Sequence, residues 1–158
     1  MKVLICLFVS LIACQSWSQD LLTERIRKVN TVKKNVYFDG GIFHNGNKKI
    51  DATLKSLRHS FKEQEGYERL VVDFGTTEAP RVYANLNNLE KKLFIDFFST
   101  KVQTGVGSFG TSKYVKSVNF FPISEQSLST EIEFKDNVSI EIFELKNPGR
   151  IVIDLKKI

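Results

Sequence analysis

The amino-acid sequence predicts an all-β protein, and more narrowly a β-sandwich of two pseudo-symmetric four-stranded halves preceded by a signal peptide and a short linker. The chain has thirteen Phe and four Tyr but one Met, and aromatic residues favour strands. Apolar and polar residues alternate in short runs, as in half-buried strands. The segments LFIDFF (93–98) and RIVIDL (150–155) also follow similar turns, and repeated units bury a shared core.

Residues 1–18 have the layout of a secretory signal peptide. Lys2 precedes an apolar run at residues 3–13, after which the sequence becomes polar. Small residues at Ser16 and Ser18 favour cleavage after Ser18. In the alternative, LIAC (11–14) resembles a bacterial lipobox, so residues 1–13 would be removed and Cys14 lipidated. Both routes predict a periplasmic or cell-envelope protein whose membrane attachment, if it has one, is a lipid anchor at Cys14 in the outer membrane.

Cysteine and charge content narrow the function classes. Cys6 and Cys14 both lie in the leader, so the remaining chain has no disulfide, no cysteine nucleophile and no thiolate metal site. The formal charge of +5 falls by one when Lys2 is removed. In an exported protein this basicity indicates acidic envelope material as the partner, and not nucleic acid.

Residues 19–52 are predicted to be a linker. DLLTERIRKVNTVKK (20–34) has apolar residues at helical spacing, which predicts a short amphipathic helix or, alternatively, a solvated linker. NVYFDGGIFHNGNKKI (35–50) contains Asp-Gly and Asn-Gly pairs. These pairs are typical of β-hairpins, so we expect one or two short strands there.

The domain predicted for residues 53–158 contains two sets of four strands that pack face to face or intertwine. Residues 99–112, rich in Gly, Ser and Thr, are predicted to connect the two sets. A turn is expected at Pro122, and in the last turn Pro148 presets φ while Gly149 tolerates a positive φ. The predicted strands cover residues 53–61, 69–74, 81–86, 93–98, 114–121, 129–134, 138–145 and 150–155.

The end of the chain resembles the AMIN domain family, a β-sandwich module of bacterial envelope proteins. GYERLVVDF (66–74) is similar to an earlier strand of that family. In the turn of the first half, Leu89 stands where the family's motif has proline and EKK (90–92) replaces a compact turn, so this half matches less closely. The resemblance covers residues 53–158. The residues that match the family's final motif in order are Phe143, Leu145, Asn147, Pro148, Arg150, Val152, Asp154 and Leu155.

This resemblance implies a targeting function without catalysis. AMIN modules occur in N-acetylmuramoyl-L-alanine amidases and pilus secretins, and they bind peptidoglycan. We therefore expect a peptidoglycan-binding module that acts in the periplasm. The alternative is a protein-interaction adaptor that docks an amidase, a pilus secretin or another envelope machine in trans.

An enzyme is not expected, and no cofactor or metal is predicted. His44 and His59 belong to no HxxxH or HExxH pattern, and GVGSFG (105–110) lacks the Lys-Ser/Thr of a phosphate-binding loop. Asp73, Asp96 and Asp154 occupy the same place near the ends of strands. That repeated placement favours an architectural role, in which each carboxylate pairs with arginine or accepts backbone hydrogen bonds.

Candidate binding residues come from the outer faces of the two repeated strands. Alternation places Arg150, Val152 and Asp154 on one outer face, and Lys92, Phe94 and Asp96 on the other. Each stripe is basic, apolar and acidic, a pattern that fits an elongated ligand or merely a charge pair that covers the sheet. The candidate binding residues are Lys92, Phe94, Arg150 and Val152.

Overall fold

A computed structural model describes residues 26–107, 109–124 and 127–158, and this part of the chain contains eleven strands and no helix. The predicted leader, with Cys14, lies outside the described residues. The strands are β1 (Ile26–Lys28), β2 (Gly41–His44), β3 (Ala52–Lys62), β4 (Tyr67–Phe74), β5 (Val82–Asn87), β6 (Lys92–Phe98), β7 (Thr100–Val102), β8 (Val115–Ser124), β9 (Ser127–Phe134), β10 (Val138–Leu145) and β11 (Arg150–Lys157).

These strands form two sheets that pack as a β-sandwich. Sheet A has the order β1-β2-β5-β6-β9-β8, and sheet B has the order β10-β11-β4-β3-β7. The chain passes from sheet A to sheet B between β2 and β3, between β6 and β7 and between β9 and β10, and it passes back to sheet A between β4 and β5 and between β7 and β8. Each sheet therefore contains strands from both the earlier and the later part of the chain.

The core lies between the two sheets and is formed by alternate residues of each strand. Both repeated strands bury the residues expected to point inward, because alternation places every second side chain on the core face. The rings of Phe74 in sheet B and Phe97 in sheet A meet edge to face, with centroids 5.4 Å apart. The inward residues are Leu93, Ile95 and Phe97 on β6, and Ile151, Ile153 and Leu155 on β11.

The segment before the predicted domain differs from expectation. Its described part contains the short strand β1 in place of a helix, because backbone pairing of Ile26 with Ile42 and of Lys28 with His44 adds β1 to sheet A. No hairpin forms at residues 35–50. The single strand β2 pairs antiparallel with β5 instead, which places Phe43 in the core.

Residues 29–38, here called the strap, cross the outer face of sheet B. The backbone N–H groups of Lys34 and Asn35 donate to the carboxylate of Glu141 on β10. The Lys33 ammonium lies 3.1 Å from the Asp154 carboxylate. At the far end of the strap, Phe38 forms an antiparallel bridge with Ile140. The strap therefore covers the side of β11 that alternation alone would leave exposed.

The structure differs from the sequence-based expectations at three local positions. Pro122 lies within β8 and not in a turn, because an edge strand has no neighbour that needs the missing N–H. The predicted connector begins as strand β7, parallel to β3. In the last turn Asn147 has the positive φ, 55°. Gly149 is required for another reason, since a Cβ there would lie 2.2 Å from the carbonyl carbon of Glu78.

Candidate functional site

The two outer faces of the sandwich are covered differently. The strap lies on sheet B, whereas no described segment crosses the outward side chains of sheet A, here called the open face. Tyr83 on this face is 40% exposed, which is high for a strand residue in the middle of a sheet. The open face is therefore an accessible sheet surface of the described chain.

The structure places the four candidate binding residues on opposite sides of the sandwich. Lys92 and Phe94 lie on the open face, on β6. Arg150 and Val152 lie on the strap side, on β11. Val152 is only 2% exposed, so it offers almost no surface to a ligand, and its role in binding stays a prediction. Sequence alternation missed this burial because the covering strap is remote along the chain.

Strand β5 supplies the central stripe of the open face. Its inward residues Val82, Ala84 and Leu86 are buried in the core. The alternate residues therefore point outward, and two of them are Tyr83 and Asn85. The outward stripe of β5 therefore presents a phenol and an amide to the surface.

Strand register aligns further side chains in rows across this face. Tyr83 lies between His44 on β2 and Asp96 on β6. Asn85 lies in the next row, where it pairs with Phe94 on β6. Aromatic and polar side chains therefore alternate both along β5 and across the sheet.

A cleft of 420 Å³, here called the Tyr83 cleft, opens at one end of β5. The guanidinium carbon of Arg81 lies 5.4 Å from the ring centroid of Phe98, which holds the cation over an aromatic face. His44 and Tyr83 line the same cleft. This end of the open face thus combines a cation with several ring systems.

A second cleft of 690 Å³, here called the Asn85 cleft, opens at the other end of β5. It is bounded by the start of β2, the β5–β6 turn and the β9–β10 turn. Its lining is rich in amide side chains. The residues that line it are Arg27, Asp39, Gly40, Gly41, Ile42, Asn85, Leu86, Asn87, Asn88, Leu89 and Asn137.

The two clefts lie at opposite ends of β5, and together with the outward side chains of β5 between them they are here called the groove. Tyr83 lines one cleft and Asn85 the other, and these residues are neighbours on the outward side of β5. From Arg81 to Asn87 the strand advances about 20 Å at the usual rise per residue. The groove therefore suits a chain-like ligand better than a small compact one.

Charges on the β8–β9 side of the open face are paired. The Lys92 ammonium lies 3.1 Å from Glu131, and this hydrogen bond raises the pKa of Lys92. The Lys116 ammonium lies 2.7 Å from the Glu133 carboxylate. Its hydrogen bond is the main cause of the lowered pKa of that carboxyl. Within the described chain, Asp96 has no ion-pair partner. The uncompensated charge of this face therefore lies near the groove.

The described side chains assemble no recognisable catalytic group. Ser112 Oγ and His59 Nδ1 both bond to the buried carboxylate of Glu68, at 2.8 Å and 3.0 Å. The serine therefore has no histidine base, and Glu68 instead anchors the loop by accepting the backbone N–H of Tyr114. Across the described ranges, no three His, Cys, Asp or Glu side chains are grouped to hold a metal ion.

Two of the three strand-end aspartates have the arginine partners that the sequence suggested. Arg58 binds Asp73 through two hydrogen bonds of 2.7 Å and 2.9 Å. Burial raises the pKa of Asp73, but hydrogen bonds from Arg58 and Ser56 outweigh it, so the pKa is lowered. Arg69 holds Asp154 in the same bidentate way, at 2.6 Å and 2.8 Å. Asp96 faces the open side instead.

Sequence reasoning missed Arg81, Tyr83 and Asn85 as candidate site residues. The repeat directed attention to β6 and β11, whereas the groove follows β5. The available signal was the segment RVYANLN (81–87), whose outward positions are all polar or aromatic.

No helix in the described residues is long and apolar enough to cross a bilayer. Compared with models of known protein families, the sequence gives no match. Compared with curated protein sequences, it gives no significant match.

Proposed function

We propose that this protein is a non-catalytic cell-envelope module that binds peptidoglycan in the periplasm through the groove on the open face. One observation carries the proposal: the chain covers one sheet face with its own strap and leaves the other with aromatic rings beside amides. A tyrosine ring offers an apolar face and a polar tip, and an asparagine both donates and accepts hydrogen bonds. Together these groups match the apolar and hydroxyl faces of a sugar polymer.

The cellular setting of the proposal rests on the leader. A signal peptide of residues 1–18 would release the chain into the periplasm. A lipoprotein signal of residues 1–13 would instead tether it through Cys14 to the outer membrane. Either route brings the groove within reach of the wall polymer.

We infer further that the sandwich consists of two equivalent four-stranded units, β3–β6 and β8–β11, as in the AMIN domain family. Strand order supports this. Sheet B contains the series β10-β11-β4-β3, and sheet A contains the series β5-β6-β9-β8. If β3 is exchanged with β8, β4 with β9, β5 with β10 and β6 with β11, the first series becomes the second. Peptidoglycan, and amidases or secretins that act on the same wall, are the partners that this resemblance implies.

Sedimentation of the mature protein with purified sacculi tests the proposed function. We expect the protein to sediment with sacculi, and less of it as salt rises, because salt screens its attraction to wall carboxylates. Tyr83→Ala should weaken binding roughly threefold to tenfold, the usual contribution of an aromatic contact. Arg150→Ala, on the strap side, is the matched control and should bind normally.

Two results would overturn this assignment. If Arg150→Ala lost binding while Tyr83→Ala kept it, the ligand would lie on the strap side and not in the groove. If folded wild-type protein stayed in the supernatant at every salt concentration, peptidoglycan would not be its ligand. Thermal unfolding of each variant shows whether a loss of binding reflects a loss of fold.

An adaptor that docks a protein partner is the second candidate, and exposed apolar residues favour it. Ile123 near the end of β8 is 68% exposed, and Phe121 on the same strand is also exposed. Apolar side chains that cluster at the surface often mark protein interfaces. A photo-crosslinking amino acid at position 123 would capture an amidase or secretin in intact cells if this candidate is right, and no envelope protein if it is wrong.

A further inference from the structure

Two opposite charges line the Asn85 cleft without neutralising each other. Arg27 and Asp39 both border it, yet neither belongs to an ion pair within the described chain. The Arg27 guanidinium carbon lies 3.9 Å from the ring centroid of Phe38, and this stacking fixes the cation in place. Its Nε is buried and finds no hydrogen-bond acceptor among the described residues. An unpartnered buried donor is costly, so Arg27 would gain from a ligand that brings an acceptor.

The amide side chains of the cleft divide into two groups. Asn87 accepts the backbone N–H of Leu89, and Asn88 donates to the carbonyls of Asp39 and Val138. Those two amides hold the turn in shape. The side chains of Asn85 and Asn137 have no hydrogen-bond partner among the described residues. They remain able to bond to a ligand.

We propose that the Asn85 cleft binds a zwitterionic amino acid or dipeptide, with the ligand's carboxylate on Arg27 and its ammonium on Asp39. Charge-assisted hydrogen bonds of this kind are the strong ones, and a guanidinium suits a carboxylate because both are planar and bidentate. The free amides of Asn85 and Asn137 match the N–H and C=O groups of a peptide bond. Neither charge has to leave an existing ion pair to bind.

The source of this ligand rests on the proposed function. In the wall, a peptide side branch that carries both a free carboxylate and a free ammonium would present the same two charges to the cleft while the polymer lies along β5. A free amino acid or dipeptide has the same chemistry and would occupy the cleft alone. The two sources differ in whether the protein binds sacculi at all.

Titration of the mature protein with alanyl-alanine, followed by NMR chemical shifts, tests the cleft directly. We expect shifts at Asn85 and Asn137 with millimolar affinity. N-acetyl-alanyl-alanine lacks the ammonium and alanyl-alanine amide lacks the carboxylate, and each should bind roughly tenfold more weakly, because each loses one charge-assisted contact. Equal binding of all three ligands, or no binding of alanyl-alanine, would overturn the proposal.

Matched variants assign each charge to its partner. Asp39→Asn should bind alanyl-alanine and its N-acetyl form equally, because this variant lacks the carboxylate that binds the ligand's ammonium. Arg27→Met should likewise bind alanyl-alanine and its amide equally. Lys28→Met removes a positive charge from the exposed side of β1 and should leave all affinities unchanged. If it weakened binding as much as Arg27→Met, net charge and not the cleft would explain the effect.

The sacculus assay separates a failure of this proposal from a failure of the proposed function. Sedimentation with sacculi but no response to alanyl-alanine overturns the zwitterion site and leaves peptidoglycan binding standing. A response to alanyl-alanine without sedimentation supports the site, identifies a free amino acid or peptide as its ligand and overturns peptidoglycan binding.

Discussion

Replacing Gly149 by alanine perturbs the closest backbone contact at the end of the β10–β11 hairpin. An added Cβ would lie 2.2 Å from the carbonyl carbon and oxygen of Glu78 and 2.6 Å from the nitrogen of Ala79. Carbon atoms in contact normally lie about 3.5 Å apart. The hairpin end must therefore move away from the 75–81 loop by roughly 1 Å.

That displacement breaks backbone hydrogen bonds, and they set the size of the effect. Gly149 N donates to Thr76 O at 2.7 Å and Asn147 N donates to Thr77 O at 2.8 Å. Phe74 N donates to Gly149 O at 3.0 Å. At about 1 kcal/mol net for each bond, losing all three lowers the free energy of unfolding by about 3 kcal/mol. For a domain of this size the Tm should fall by about 10 °C.

Gly75→Ala is the matched control, because its crowding is of a different kind. A Cβ there would lie 2.8 Å from Cε of Lys55, the end of a flexible exposed side chain that can swing aside. We expect a change within about 0.5 kcal/mol. Urea unfolding of both variants measures the difference. Equal stabilities would refute the claim that backbone crowding at residue 149 is what requires glycine.

Three further outcomes test other parts of the molecule. Ile153→Asp should unfold the protein by burying an unpaired charge in the core, at a cost of several kcal/mol; a cooperative wild-type-like melt would refute the strand register. Burial raises the pKa of Tyr37 to about 12. Burial lowers the pKa of Lys33, but its hydrogen bonds to Asp154 and Tyr67 and the attraction of nearby negative charge together outweigh that effect, so the pKa of Lys33 is also raised. The folded chain thus holds both protons more tightly, so its stability should be steady below the ordinary pKa values of 10.0 for tyrosine and 10.5 for lysine and should fall as pH rises beyond them. Urea titrations across that range should show a dependence of stability on pH that Lys33→Met reduces. Mass spectrometry of the envelope fraction should show a mature chain that lacks at least residues 1–13. A diacylglyceryl mass on Cys14 would identify the lipoprotein route. Folded protein that retains Met1 would exclude export by cleavage of a signal peptide.

The amino-acid sequence determined the strands and their inward faces. Alternation identified the eight long strands and the buried triplets of β6 and β11, because a period of two is a local property of the chain. It also suggested that Asp73 and Asp154 pair with arginine. Predicting those pairings required only the position of each aspartate near a strand end and the preference of a carboxylate for arginine.

The tertiary structure alone decided which sheet face is accessible. The strap reaches Glu141 from more than a hundred residues away, and no local pattern in residues 29–38 specifies that contact. Its placement buries Val152, leaves Tyr83 exposed and sends β1 and β2 into sheet A. Hydrophobic period reports which side of a strand is apolar. It does not report whether a remote segment covers the other side, because that depends on the free energy of packing the whole chain.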